Sequence, residues 1–269
     1  MPVAPACNIS CNYCNRKNDC VNESRPGVTS EILSPEQALA RFQKVSEKLD
    51  NLSVVGIAGP GDGLANWKPT KKTLELIRQA DPNITFCLST NGLNLPLYAA
   101  EIIDLGIQHV TVTVNSIDPN IGASIYRDIH YQGEILNGSE GAEVLMNNQL
   151  QGIKDLAENE VLVKVNMVMI EGINDFHIPE IVKKVKEMGA FTSNIMPLIP
   201  VEDTVFGSYP QTSMAKIKEA RKVCREVLPQ MCHCKQCRAD AIGLLGKDIS
   251  ELFIEGRNKC ACACKKEAG

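Results

Sequence analysis

The chain has 269 residues, a formal net charge of −4 and 44% hydrophobic residues. That length suits one large domain or two small ones, and the apolar content is that of an ordinary globular protein. Mild acidity without a Lys/Arg run argues against nucleic acid as a partner, and no apolar stretch approaches the ~20 residues that span a bilayer.

In chain order, PVAPACN (2–8) reads as a first strand and SPEQALARFQKVSEKL (34–49) as its helix, with Ser34 as N-cap, Pro35 at N1 and Glu36 in the first turn. NLSVVGIAG (51–59) is β-branched and runs into a Gly/Pro turn, which predicts a buried strand. A helix is expected over 69–81, a strand over 83–92, and a helix over 95–106 that stops at Gly106. QHVTVTVNS (108–116) alternates as a strand, and a longer helix occupies 139–158. Strand 160–172, helix 177–190, strand 191–200 and helix 213–228 follow. Strict β-α alternation predicts an α/β fold with a parallel sheet, either a partial (β/α)6 TIM-type barrel or a doubly wound sheet. A barrel collects function at the carboxyl ends of its strands. Those ends read ACN (6–8), AGPGD (58–62), STNG (89–92), VNS (114–116), MIEG (169–172) and PLIP (197–200). Beyond 228 the periodicity fades. The expected division is therefore a partial barrel over 1–228 and a cysteine-rich C-terminal segment over 229–269 with a mobile tail.

Cysteine is the anomaly, with 12 in the chain. The opening MPVAPACNIS has neither the basic nor the long apolar region of a signal peptide. A cytoplasmic setting is expected, where thiols stay reduced and disulfide staples are not needed. Groups at 7/11/14, 232/234/237 and 260/262/264 then favour metal or iron–sulfur ligation. Cys7, Cys11 and Cys14 have spacing C-x3-C-x2-C. Three thiolates leave one iron of a cubane 4Fe–4S cluster open to a small molecule. The alternative is a zinc knuckle of Cys7, Cys11, Cys14 and Cys20, since structural zinc prefers four protein ligands.

C-x3-C-x2-C with an aromatic before the last cysteine (CNYC) resembles the radical S-adenosylmethionine superfamily. The resemblance implies that the open iron binds the amino and carboxylate groups of S-adenosylmethionine, and that an electron from the cluster cleaves the sulfonium to give a 5′-deoxyadenosyl radical. A glycine-rich turn after the second strand receives the methionine amino group in that family; AGPGD, with Gly59, Gly61 and Asp62, occupies that place. The stretches PVAPACNISCNYCNRKNDC, NESRPGV (22–28), GIAGPGD, CLSTNGL (87–93) and HCKQCRADAIGLLG (233–246) together resemble the NifB family, the maturases that build the iron–sulfur core precursor of the nitrogenase cofactor.

That resemblance implies a lyase- or transferase-type enzyme. It fuses two 4Fe–4S clusters, a carbon from a S-adenosylmethionine methyl group and an added sulfur into an eight-iron carbide cluster. Cys7, Cys11 and Cys14 would hold the radical cluster. Cys234 and Cys237 would hold one substrate cluster, with Cys224 as a third ligand, and Cys87 would serve the other. Expected partners are an iron–sulfur donor, a reductant such as ferredoxin or flavodoxin, and a nitrogenase cofactor scaffold or carrier. Tyr13 is a candidate platform for the adenine and Asn91, in STNG, a candidate cofactor contact. Thr111, Thr113 and Asn115 alternate on one strand face and Asn166 sits among apolar neighbours; such inward polar groups suggest a cavity for the ribose and methionine parts. His109, His130 and His177 read as structural, and His233 as a possible ligand. Family members begin with a segment carrying an HPC motif that serves the Cys87 cluster. This sequence starts at Met1, just before the first strand, without one. Truncation, a differently held cluster with Cys20, Glu23 and Arg25 as nearest substitutes, and altered function are the three readings. Two other functions stay open: a radical enzyme with auxiliary clusters acting on a peptide or small molecule, and a non-catalytic iron–sulfur carrier or scaffold. The CACAC tail (260–264) could serve cluster delivery or be a thiol-rich tail without that role.

Overall fold

The computed structural model of the protein describes residues 1–22, 27–232, 239–244 and 247–253. After strand β1 (Ile9–Cys11) come α1 (Pro35–Ser46), β2 (Val54–Ile57), α2 (Trp67–Ala80), β3 (Thr85–Thr90), α3 (Leu95–Asp104) and β4 (His109–Thr113). Next are α4 (Pro119–Ile125), the hairpin β5 (Tyr126–Tyr131) and β6 (Glu134–Leu136), α5 (Gly138–Glu158), β7 (Leu162–Met169), α6 (Ile178–Glu187), β8 (Thr192–Pro197) and α7 (Met214–Arg225). A small pair, β9 (Gly243–Leu244) and β10 (Lys247–Asp248), closes the described chain. The main sheet is parallel and five-stranded, in the order β2-β3-β4-β7-β8. Helix α1 starts as its sequence dictates: the Ser34 side chain accepts from the Gln37 amide, and the Gln37 side chain accepts from the Ser34 amide.

Register assigns the two faces of this sheet opposite chemistry. On the helix side, Ile57, Leu88, Val110 and Val163 lie side by side across four strands. They are buried in one core with Leu74 and Ile77 of α2, Ile102 of α3, Ile153 of α5, Ile181 of α6 and Ile217 of α7. On the other face, Ser89, Thr111, Lys164 and Thr192 form one row and Thr113, Asn166 and Asn194 the next. This inner face is polar where a filled barrel would be aliphatic.

Two elements depart from expectation. The segment 2–8 does not form a ladder strand: it makes a single parallel bridge, Ala4 to Pro60, at the β2 edge. Pro2 and Pro5 offer no N–H, and proline is tolerated only where the ladder has no donor to lose. The strand appears instead at Ile9–Cys11 and pairs antiparallel with β5. Helix α4 and the β5–β6 hairpin lie in a stretch (117–137) without strong apolar periodicity. Local signals are present all the same. Asp118 caps α4 by accepting from Asn120 and Ile121, with Pro119 at N1, and Gln132 and Gly133 both take positive φ in a tight hairpin turn.

Although it forms no strand, the N-terminal stretch is seated firmly. The Gly61 amide donates to Ala4 O at 2.6 Å, and the Asp62 amide to Ala6 O at 2.8 Å. A Cβ on Gly61 would lie 2.1 Å from Ala6 O and 2.5 Å from Ala6 C, both backbone atoms that cannot swing aside. Gly61→Ala is therefore expected to cost about 1–3 kcal/mol by forcing the two segments apart, read as a lower midpoint in chemical denaturation. An unchanged midpoint would show that the approach relaxes freely.

Candidate functional site at the carboxyl ends of the strands

The β1–β5 pairing sets the first cysteine motif in place. Ile9 and Ser10 lie opposite Ile129 and Asp128; the register then shifts, and Cys11 lies opposite Tyr126. The chain turns at once, the Cys14 amide donating to Cys11 O at 3.0 Å and the Asn12 amide to Ile125 O at 2.8 Å. The loop faces the carboxyl ends of β2, β3 and β4 across an open cleft whose empty space, its solvent-open mouth included, is about 450 Å³. Cys7, Cys11, Cys14, Arg16, Cys20 and Asn22 line one side; Gly61, Asp62, Ser89, Thr90, Asn91 and Thr113 line the other.

Asp62 fastens the far wall. One carboxylate oxygen accepts from the Leu64 and Ala65 amides at 2.9 and 3.0 Å, the other from Thr90 Oγ1 at 2.9 Å and the Asn91 amide at 2.6 Å. Burial raises its pKa and these donors oppose the rise. With four donors already engaged, the carboxylate holds the turn to β3 and has little capacity left for a ligand. Gln149 on α5 donates to Asn91 O and Thr113 O, both at 2.8 Å, and so ties the ends of β3 and β4 together. Asn91 in turn donates to Asn8 Oδ1 at 2.7 Å and toward Cys7 Sγ at 3.7 Å.

The four thiols have different environments. Burial pushes Cys7 up to about 11 and Cys11 well above its ordinary value. A hydrogen bond from Cys20 holds Cys14 down to about 6, aided by the Arg16 guanidinium, while Cys20 is pushed up. Among the described residues no three Cys, His, Asp or Glu side chains close around a single ion. Three thiols that share a cavity without converging on one point fit a multi-iron cluster, which takes one thiolate at each of three corners, better than a single zinc ion.

The structure thus gathers Cys7, Cys11, Cys14, Gly61, Asp62, Asn91 and Thr113 at one cavity. Other residues from the sequence reading lie elsewhere. Tyr13 is 1% exposed, and its hydroxyl accepts from Asn115 at 2.8 Å and from Asn22 at 3.4 Å. It packs with Val21, Val168 and Met196 in a second core, so its ring offers no open face to an adenine. Asn115 is fully buried: besides donating to Tyr13 it accepts from the Val168 amide at 2.8 Å, and its carbonyl accepts from Asn174 at 2.9 Å. Asn166 accepts from Asn194 within the inner face. Gly59 has φ +117 and serves the turn rather than lining the cavity. Cys87 is half-buried in the middle of β3, not at its end, opposite Gly56 and His109 and two residues before Ser89. Cys224 is 1% exposed in the layer between α7 and the sheet, and burial pushes its thiol up to about 11. That apolar layer lies away from the cavity that gathers Cys7, Cys11 and Cys14. His177 is buried, accepting from the Ile117 amide and pairing with Glu180. Glu23, Arg25, His233, Cys234, Cys237 and the CACAC tail lie outside the described residues. Sequence reasoning missed Arg16, which nothing in the pattern marks; Ser89 and Thr90, which immediately precede Asn91, came only as part of the STNG strand end.

The chain matches the Radical SAM superfamily over residues 1–202. It is 51% identical over 259 residues to the FeMo cofactor biosynthesis protein NifB of Klebsiella pneumoniae, covering 95% of this chain and 55% of that protein. For NifB of Chlorobaculum tepidum the figures are 44% over 254 residues, 94% and 60%. For NifB of Azotobacter vinelandii they are 47% over 255 residues, 93% and 51%. The chain thus spans about half the length of these curated relatives. Among solved structures, methylornithine synthase PylB superposes with a TM-score of 0.55 at 12% identity, covering 86% of this chain and 62% of that one. The enzyme anSMEcpe with bound AdoMet and a peptide superposes with a TM-score of 0.53 at 17% identity, covering 73% and 49%. At those identities the likeness is one of fold. By the extent of the superfamily match, the shared fold and the similarity to NifB, the chain belongs to the radical SAM superfamily.

Proposed function

We propose that the protein is a radical S-adenosylmethionine enzyme of nitrogenase cofactor biosynthesis. The observation that carries this reading is the convergence of Cys7, Cys11 and Cys14 with Gly61, Asn91 and Thr113 on one cavity, in a chain about half identical to NifB proteins. Cys7, Cys11 and Cys14 hold a 4Fe–4S cluster, which when bound supplies the electron that cleaves S-adenosylmethionine. The chain's own part is positional. The 59–62 turn presents backbone to the methionine end of the substrate, and Asp62 keeps that turn rigid against β3. Asn91 and Thr113 face the cavity from the next two strands. Tyr13 and Asn115 support the cysteine loop from behind through their buried hydrogen bond.

The finer reading is that the enzyme joins two substrate 4Fe–4S clusters, a methyl-derived carbide and a sulfur into an eight-iron product. Cys87 is the proposed ligand of one substrate cluster and the Cys234–Cys237 pair of the other. Similarity to NifB supports this assignment. An iron–sulfur donor, a ferredoxin- or flavodoxin-type reductant and a cofactor carrier are the partners it requires.

After anaerobic reconstitution, iron content separates the sites. The full chain is expected to hold about twelve irons if all three clusters bind and about four if only the radical site does. Cys7→Ala, Cys11→Ala or Cys14→Ala should each remove about four, whereas Cys224→Ala should leave iron unchanged and cost about 1 kcal/mol or more of stability. Iron retained in all three motif variants would overturn the assignment of the radical site.

With S-adenosylmethionine and dithionite, 5′-deoxyadenosine is expected from the radical step and S-adenosylhomocysteine from methyl transfer, both measured by chromatography. Formation of 5′-deoxyadenosine without S-adenosylhomocysteine would remove carbide insertion and leave a radical enzyme acting on another substrate. Neither product, from a fully loaded protein, would leave an iron–sulfur carrier.

A further inference from the structure

Arg16 is the one cationic side chain among the described residues that line the cavity. Its guanidinium is pinned by two backbone carbonyls: Nη2 donates to Pro5 O at 2.9 Å and Nη1 to Pro60 O at 3.4 Å. Those carbonyls belong to the stretch that leads into Cys7 and to the turn that carries Gly61. Arg16 therefore bridges the two walls of the site from a position two residues after Cys14. It lines the same cavity as Cys7, Cys14 and Cys20, whose thiols lie within range of its charge. Among the described residues no carboxylate pairs with it. Asp62, the one carboxylate among the described lining residues, is occupied by its four donors. A guanidinium does not lose its proton in proteins, so the charge beside the thiolates is permanent.

A cubane held by three thiolates is already anionic, and reduction adds one more negative charge. Hydrogen bonds and charges around the sulfurs set its potential. We propose that Arg16 is a positioning residue for the cluster at Cys7, Cys11 and Cys14: its fixed charge favours the reduced form, and its two carbonyl bonds hold the cysteine loop against the 59–62 turn. This rests on the proposed radical site. It assigns a role to a residue outside the cysteine motif. Asn91 faces Cys7 as a neutral donor only, at 3.7 Å, so among the described lining residues the positive charge is that of Arg16.

The test uses the full chain, reconstituted anaerobically, as wild type, Arg16→Lys and Arg16→Gln. Iron and sulfide are counted, and the reduced cluster is followed by electron paramagnetic resonance during a redox titration. The expected result is equal iron in all three, a midpoint clearly more negative in Arg16→Gln, and a midpoint near wild type in Arg16→Lys, which keeps the charge. A fully loaded Arg16→Gln with the wild-type midpoint overturns the proposal, as does an Arg16→Lys shift as large as that of Arg16→Gln. If Arg16→Gln does not load, Arg16→Lys decides: an unmoved midpoint supports the charge, and a displaced one overturns it. Failure of both variants to load makes Arg16 a folding residue and also overturns the proposal. Failure of the underlying radical site looks different: Cys7→Ala, Cys11→Ala and Cys14→Ala would then carry the same iron as wild type.

Discussion

The site depends on one close approach: the backbone of residues 4–6 lies directly against the turn at 59–62. Gly61 makes it possible, because any side chain there would occupy the space of Ala6 O. The Gly61 and Asp62 amides then bond Ala4 O and Ala6 O, so the approach is hydrogen-bonded and not merely tolerated. Cys7 is the next residue, and its position across from Asn91 follows from this contact. Asp62 carries the constraint onward to Thr90 and Asn91, and Gln149 carries it to β4. A local requirement for a glycine thus fixes the distance between the cysteine loop and three strand ends.

The second constraint is the division of the sheet into an apolar and a polar face. Burial of Ile57, Leu88, Val110 and Val163 against the helices supplies the fold's main hydrophobic contribution. That frees the inner face from packing duty. Its polar rows remain hydrogen-bonded where buried, as Asn166 to Asn194 shows. A sheet stabilised from one side can leave its other side for chemistry, with the stability borne by residues that never touch a ligand.

The sequence was most informative where pattern and physics coincide. Five of the six strands and their helices were legible from apolar periodicity, caps and glycine stops, because burial on the helix side imposes that pattern. The 2–8 strand failed for a reason visible in the chain: two prolines remove ladder donors. The β5–β6 hairpin was missed because its residues pack around the cysteine loop instead of in the main core, leaving only the Asp118–Pro119 and Gln132–Gly133 signals. The cysteine motif and the glycine-rich turn were legible as chemistry. Which polar residues face the cavity was not, since Thr113 and Asn115 alternate alike in the sequence, whereas β4 ends at Thr113 and Asn115 is fully buried beyond it.

Saturation of hydrogen bonds settles that difference. Asn115 spends both ends of its amide and its carbonyl on Tyr13, Val168 and Asn174. Asp62 spends both oxygens on four donors. These groups are polar because the backbone around them needs partners that no ladder supplies, and their burial is the evidence of a supporting role. Arg16 is the opposite case. Two carbonyls fix its direction, yet its charge is balanced by no carboxylate among the described residues, and it faces thiols whose bound form is anionic. Arg16 is exposed to solvent, so this charge needs no buried counter-ion. The cysteine thiolates and the cluster they would hold are the anionic groups it faces in the cavity, which makes the cysteine loop and its arginine one electrostatic unit.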